Sequence, residues 1–299
     1  MNDSRRSCRV CGSSKGDLMI WIRGNTTTRS PSILGPSRTD LAHGTILRCG
    51  TCRVGFLETS PLPDELSQLY RNLEGDMYES EYQGRLKTAR RHLNILHRYA
   101  TPGRLLDVGC ASGAFLTVAA DRGWSVVGIE PSSKLYQNAS RALAGRGLVV
   151  CATLQEAAPT LAPCDVVTLW DVLEHVPEPV AFLKTCRALV KPGGHIFANV
   201  PDLDSVPARL FGRRWPLLLP EHLSYFNRRS LRVCGERASL TCLAFGRRAA
   251  SFSTSYVFYR LAQHGVPGAS AIAGLAKRLG IDRLTIPVPL GEIYAVWRC

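Results

Sequence analysis

The chain has 299 residues, 45% of them apolar, and a formal net charge of +13. That apolar content supports a sizeable core and excludes a globally disordered chain. The basic excess admits nucleic acid, an acidic lipid surface or an anionic substrate as partner, but no run of arginines exceeds two, which disfavours nucleic acid.

The opening "MNDSRRSCRV" is polar and lacks the apolar h-region of a signal peptide. No stretch approaches the roughly 20 apolar residues of a membrane span. Eleven cysteines, several in apolar stretches (Cys110, Cys151, Cys164), point to a reducing, cytoplasmic setting and not to a disulfide scaffold.

Residues 1–60 carry "CRVCG" and "CGTC", two Cys-x-x-Cys knuckles formed by Cys8, Cys11, Cys49 and Cys52. Two tight turns of this kind converge four sulfurs on one tetrahedral ion, so the spacing predicts a structural Zn2+ in a small ribbon. Four thiolates leave no open position, which excludes a catalytic zinc there. His43 is a weak substitute ligand. Residues 61–100 form a helical connector. Pro61 and Pro63 close the ribbon, Asp64 caps a helix through Tyr70, and a second helix places Leu86, Ala89, Leu93, Leu96 and Tyr99 on one face. Tyr78 and Tyr82 are candidates to reach an acceptor pocket from this side.

Residues 101–299 form the main domain, and from residue 104 the pattern changes. "RLLDVG", "SVVGIE", "LVVCATL", "DVVTLW" and "GGHIFANV" read as strands, with helices between them. This is the βαβα rhythm of an α/β, doubly wound, Rossmann-like sheet. Residues 203–285 hold an insertion and helices on the acceptor side, and "GEIYAVWR" reads as a last, antiparallel edge strand. His195 lies within a strand and reads as structural.

The turn after the first of these strands is "DVGCASG". It is a poor match to Gly-x-Gly-x-x-Gly, because positions 111 and 114 are alanine. An acid just before the turn, at Asp107, suits a cationic ligand better than a pyrophosphate. Glu130, 23 residues on, ends the second strand, where a carboxylate accepts bonds from ribose hydroxyls. Two acids and no phosphate cradle describe S-adenosylmethionine.

"LLDVGCASGAFL", "VVGIEPS", "DVVTLWDVLEHVPEP" and "LVKPGGHIFANVP" occur in order. Over about residues 100 to 245 the chain resembles the class I S-adenosylmethionine-dependent methyltransferases. The resemblance implies a seven-stranded sheet. It implies that Asp107, Gly109 and Gly113 lie under the methionine end of the cofactor, that Glu130 binds the ribose with Pro131 and Ser132 following, and that Ala152, Thr153 and Leu154 lie near adenine. Asp171 is implied near the sulfonium. The departure is Ala111, where the family often has glycine; alanine fits there at negative φ. The ribbon before the domain is similar to the N-terminal segment of a bacterial group that includes sugar C-methyltransferases.

Two clusters are candidates for the chemistry. Asp171, Glu174 and His175 stand at i, i+3 and i+4 on a helical turn. A similar Glu-x-x-Glu-His cluster binds a divalent metal in ubiquinone-pathway O-methyltransferases, so a second metal, a base at His175, or a turn that only bonds to itself all remain open. Glu221 and His222, in "PEHLSYF", resemble the Glu-His pair of sugar C-methyltransferases. Leu219 stands where that family usually has tyrosine, which weakens a C-methylation role. "FGRRWPLLLP" reads as a lid with Arg213 and Arg214, a membrane contact or a packed loop.

The expectation is methyl transfer, at oxygen or carbon, to a small-molecule acceptor such as a sugar, a lipid-linked compound or a polyketide. The alternatives are an RNA methyltransferase, motivated by the ribbon and the charge, and a non-catalytic cofactor-binding scaffold.

Overall fold

A computed structural model describes residues 7–14, 17–23, 44–59, 65, 68, 70–71, 81–219, 221–263, 268–282 and 284–299. His43, Pro61, Pro63, Asp64 and Tyr78, on which expectations were placed, lie outside the described residues.

Three short strands come first: β1 (Leu18–Ile22), β2 (Ile46–Cys49) and β3 (Gly55–Leu57). Helix α1 (Tyr82–Leu96) follows. The larger unit then alternates β4 (Arg104–Val108), α2 (Ala114–Ala120), β5 (Ser125–Ile129), α3 (Ser133–Leu143), β6 (Gly147–Val150), α4 (Leu154–Ala157), β7 (Cys164–Trp170), α5 (Pro179–Ala188) and β8 (Val190–Pro201). After it come α6 (Val206–Phe211), β9 (Ser224–Tyr225), α7 (Arg228–Arg237), β10 (Thr241–Ser253), α8 (Thr254–Gln263), α9 (Ala269–Arg278) and β11 (Thr285–Arg298).

The large sheet has seven strands in the order β10-β11-β8-β7-β4-β5-β6. The pairs among β4 to β8 are parallel, and β11 runs antiparallel to both β8 and β10. The expected last antiparallel strand is therefore present but is not the edge. β11 is covered on one side by β10, a strand that the mixed polar and apolar "TCLAFGRRAASFS" conceals.

Successive side chains of a strand point to opposite faces. Leu105 packs with Leu93 and Leu96 of α1 and Phe115 and Leu116 of α2. Its neighbour Leu106 packs on the other face with Leu183 and Cys186 of α5 and Leu231 of α7. The cysteine knuckles belong to that second face: Cys8, Cys49, Cys52 and Phe56 join the same cluster.

The small sheet is β1-β2-β3-β9. Its fourth strand, β9, comes from beyond β8 in the chain, with Gly55 opposite Tyr225 and Phe56 opposite Ser224. Trp215, Leu218 and Tyr225 fill its core with Ile22 and Ile46. No helix among the described residues is long and apolar enough to cross a membrane.

Candidate functional site

The glycine turn follows β4. Gly109 has φ 72°, and a Cβ there would lie 2.8 Å from Cγ2 of Val172. Gly113 begins α2 at φ 76°, with Cα of Ala139 2.9 Å from where a Cβ would be. Both positions therefore demand glycine. Ala111 corrects an expectation: its φ is +47°, not negative. The left-handed region costs an L-residue about 1–2 kcal/mol, so the surroundings must enforce it. They do so through Glu130, whose Oε2 accepts from the Ala111 N–H at 2.9 Å while Oε1 accepts from the Ser132 N–H at 2.9 Å. One carboxylate thus ties the turn after β4 to the turn after β5.

Asp107 points into the same place from β4, and Thr168 Oγ1 of the neighbouring β7 donates to its Oδ1 at 2.6 Å. Burial pushes Asp107 up to about 7, with the Glu130 charge adding to it, and burial likewise pushes Glu130 up to about 7. Two desolvated acids side by side make a site that favours a cation. Pro131 leads into Ser132, which caps α3 by accepting from the Leu135 N–H. Thr153 caps α4 in a reciprocal box with Glu156, and Leu154 is buried in the core. The Thr153 and Leu154 side chains are therefore committed away from the cleft.

Asp171 ends β7 at φ 58°, a conformation that aspartate tolerates better than most. It is not on one helical turn with Glu174 and His175, as the spacing suggested. A 3₁₀ turn covers only Leu173–His175, and Asp171 turns instead to Asn199 of β8, at 2.5 Å, and Arg248 of β10, at 3.4 Å. Arg248 is buried and also pairs with Glu292 of β11 at 2.8 Å and with Nε2 of His92 on α1. His92 stacks on Trp170 with ring centroids 3.8 Å apart.

Glu174 and His175 meet His222 instead. One ring nitrogen of each histidine and a carboxylate oxygen of Glu174 lie within 4.8 Å of one another. The two apparent rivals in sequence are thus one cluster, with ring centroids 4.8 Å apart. Nδ1 of His175 faces the Glu221 carbonyl at 3.0 Å, and Nδ1 of His222 faces the Leu217 carbonyl at 2.9 Å. A carbonyl only accepts, so each Nδ1 carries the proton and each Nε2 keeps its lone pair. Burial takes His175 down to about 4 and lowers His222 well below the ordinary range, so both rings are neutral near pH 7. Burial raises the Glu174 carboxyl well above its ordinary range, and its Oε2 has no protein partner. Glu221 is buried beside them and contributes its carbonyl to His175.

Asp107, Asp171, Glu174 and His222 open into one cavity of about 370 Å³, which His175, Glu130 and Glu221 do not line. Its floor is Asp107, Gly109, Ala111, Asp171, Glu174 and His222. Its walls are apolar and cationic: Leu217 and Leu219 from the 211–219 loop, Val257, Arg260 and Leu261 from α8, and Arg85 from α1. Tyr82 starts α1 but does not line the cavity. The 211–219 loop is anchored by Trp215, whose Nε1 donates to the Leu290 carbonyl at 2.8 Å. Arg213 donates to the Arg23 carbonyl. His195 sits beside Tyr99 and Phe197, far from these groups in the sheet. Sequence reading missed Arg248, Glu292, Asn199, His92 and Trp170. The available signal was a lone acid in the alternating apolar strand "GEIYAVWR", because an acid is seldom buried without a cationic partner.

At the other end of the chain, the Cys8, Cys11, Cys49 and Cys52 sulfurs all lie within 4.8 Å of one another. Tetrahedral zinc sets sulfurs about 3.8 Å apart; Cys8–Cys52 and Cys11–Cys49 are at 3.5 and 3.6 Å. The Cys11 and Cys52 N–H groups point at the sulfurs of Cys8 and Cys49. The contact with Cys52 lowers the Cys8 thiol and raises Cys52, and burial raises Cys11, so without an ion the cluster favours a thiolate at Cys8 alone of these three. The donor set and spacing fit a zinc ion.

Residues 78–244 match a methyltransferase domain family model. Curated relatives include the ubiquinone biosynthesis O-methyltransferases of Vibrio parahaemolyticus serotype O3:K6, 36% identical over 98 residues, and of Caulobacter vibrioides, 39% identical over 97 residues. Each alignment covers 31% of this chain and, respectively, 42% and 38% of the relative, so the chain spans about two fifths of their length. A crystal structure of an S-adenosylmethionine-dependent methyltransferase from Archaeoglobus fulgidus shares the fold at TM-score 0.50 and 17% identity, covering 72% of this chain and 94% of that one. With more than half of its length matched, the chain belongs to the methyltransferase domain family.

Proposed function

We propose that the chain transfers the methyl group of S-adenosylmethionine to a hydroxyl of a small-molecule acceptor with an apolar body. The observation that carries this reading is the shared cavity: Asp107 and Gly109 of the glycine turn and Glu174 and His222 of the cluster line one space of small-molecule size, with the His175 ring against His222. The identity with O-methyltransferases supports oxygen as the nucleophile.

In this reading Asp107 faces the ammonium of the cofactor, Gly109 and Gly113 admit its methionine end, and Glu130 and Pro131 border the ribose. Adenine lies against the main chain at Thr153 and Leu154. The acceptor oxygen attacks the methyl carbon, the C–S bond breaks, and the hydroxyl proton passes to Nε2 of His222, with His175 and Glu174 beside it completing the relay. Glu221 holds His175 in the required tautomer through its carbonyl. Glu174, His175 and His222 also form a ligand set for a divalent cation, replacing the Asp171-containing set that the spacing suggested. Such an ion would lower the pKa of a bound hydroxyl. Residues 1–60 carry a structural zinc on their four cysteines, residues 61–100 supply a cavity wall, and residues 101–299 carry the chemistry.

The test is methyl incorporation from labelled S-adenosylmethionine into a panel of phenolic and sugar hydroxyls, with calorimetry alongside. His222→Ala should lower turnover at least roughly a hundredfold, as loss of a general base does, with cofactor affinity retained. Turnover unchanged in both His222→Ala and His175→Ala would sink the assigned proton path.

A further inference from the structure

Helix α9 is built inside out. It buries Ala269 and Ala276 and exposes Ile272, Leu275 and Leu279, the last two at 55% and 63%. These three recur at i, i+3 and i+7, so they form one stripe. A helix that only covers a core turns its large apolar residues inward. Here the small ones face the protein and the large ones face out. Ile281 and Leu284 beyond the end of α9 and Leu261 of the adjoining α8 are exposed as well. Contiguous apolar surface of this kind marks a docking site.

The charges beside it select the occupant. Residues 268–282 contain Lys277 and Arg278 against a single acid, Asp282. Lys277 and Arg278 stand exposed in the last turn of α9. A second copy, with the same +13 charge and the same cations, would meet this face with like charge. No helix among the described residues is long and apolar enough to cross a bilayer. An apolar stripe flanked by cations suits an anionic lipid interface. The surface also lies beyond residue 244, where the family match ends.

We propose that the outer face of α8 and α9 docks the protein on an anionic lipid surface. The face adjoins the cavity: Val257, Arg260 and Leu261 line it, and Leu261 is exposed as well. Docking therefore brings the cavity mouth to the lipid interface, where an acceptor with an apolar body would partition. That last link rests on the proposed methyl transfer; the docking surface itself does not.

The experiment is co-sedimentation of the full chain with phosphatidylcholine vesicles, with and without phosphatidylglycerol, at low and high salt. Binding is expected only with phosphatidylglycerol, and it should weaken as salt rises. Leu275→Glu with Leu279→Glu should reduce binding by roughly tenfold or more. Lys277→Gln with Arg278→Gln should reduce it roughly fivefold for each charge removed. Retained S-adenosylhomocysteine affinity reports that both variants are folded; if the first is not, the second decides. Absence of vesicle binding by the wild type at low salt overturns the proposal, as does equal binding by folded variants. A dimer in analytical ultracentrifugation that Leu275→Glu with Leu279→Glu dissociates would assign the face to a second copy and overturn it too. Failure of methyl transfer, with vesicle binding intact, would strike only the proposed reaction.

Discussion

Ala111 holds φ +47° in a turn that its two flanking glycines, Gly109 and Gly113, adopt without strain. Ala111→Gly removes about 1–2 kcal/mol of backbone strain and returns about 0.5–1 kcal/mol in unfolded-state entropy. The expected net gain is about 0.5 kcal/mol, read as a higher urea midpoint with an unchanged slope; a lower midpoint would show that the methyl group packs usefully. Asp107 gives a second test. Its folded pKa is raised from 3.8 to about 7, so its contribution is fully present below about pH 4 and is lost as pH rises through about 7. Asp107→Asn removes that titration. Ligand-free wild type should therefore lose thermal stability relative to the variant as pH rises through about 7, while a parallel pair of curves would refute the buried acid. Asp107, Glu130 and both glycines were legible in sequence, because a turn between two strands restricts which residues fit. Arg248 and Glu292 were not. Their pairing joins strands 44 residues apart, and nothing local in either strand announces the partner.

The 211–219 loop depends on Trp215, which fills the small sheet's core and bonds to the Leu290 carbonyl. Trp215→Ala should cost about 3–5 kcal/mol of stability in chemical denaturation; a loss under about 1 kcal/mol would mean that the loop is held elsewhere. The parallel strands from β4 to β8 were readable because each carries a short apolar run and helices with their own period separate them. β9 was not readable. It is two residues long, and its partner β3 lies far upstream, so only tertiary packing defines it. β10 was hidden for a related reason. Its polar residues face the buried charge network and the cavity, which spoils the apolar alternation.

Across the whole molecule, the four-cysteine cluster and the histidine cluster are joined through the small sheet. Cys49 ends β2, β2 pairs with β3, β3 pairs with β9, and Leu223 beside β9 donates to the Glu174 carbonyl at 2.8 Å. His222 is the next residue back. The ribbon thus sets the position of a proposed base. Cys49→Ser should release the proposed zinc, lower the melting temperature and lower turnover more than it lowers cofactor affinity; metal analysis, melting and calorimetry on the same sample would read all three, and equal losses in turnover and affinity would contradict the linkage. The knuckles were plain in sequence, whereas their link to His222 runs through strand pairing that spacing does not encode. The central claim is that the cleft between Asp107 and Glu130 holds S-adenosylmethionine. Calorimetric titration of the folded, metal-loaded chain tests it most directly: one saturable site is predicted, competed by S-adenosylhomocysteine and lost in Gly109→Val, whereas no binding by the folded wild type would contradict the account.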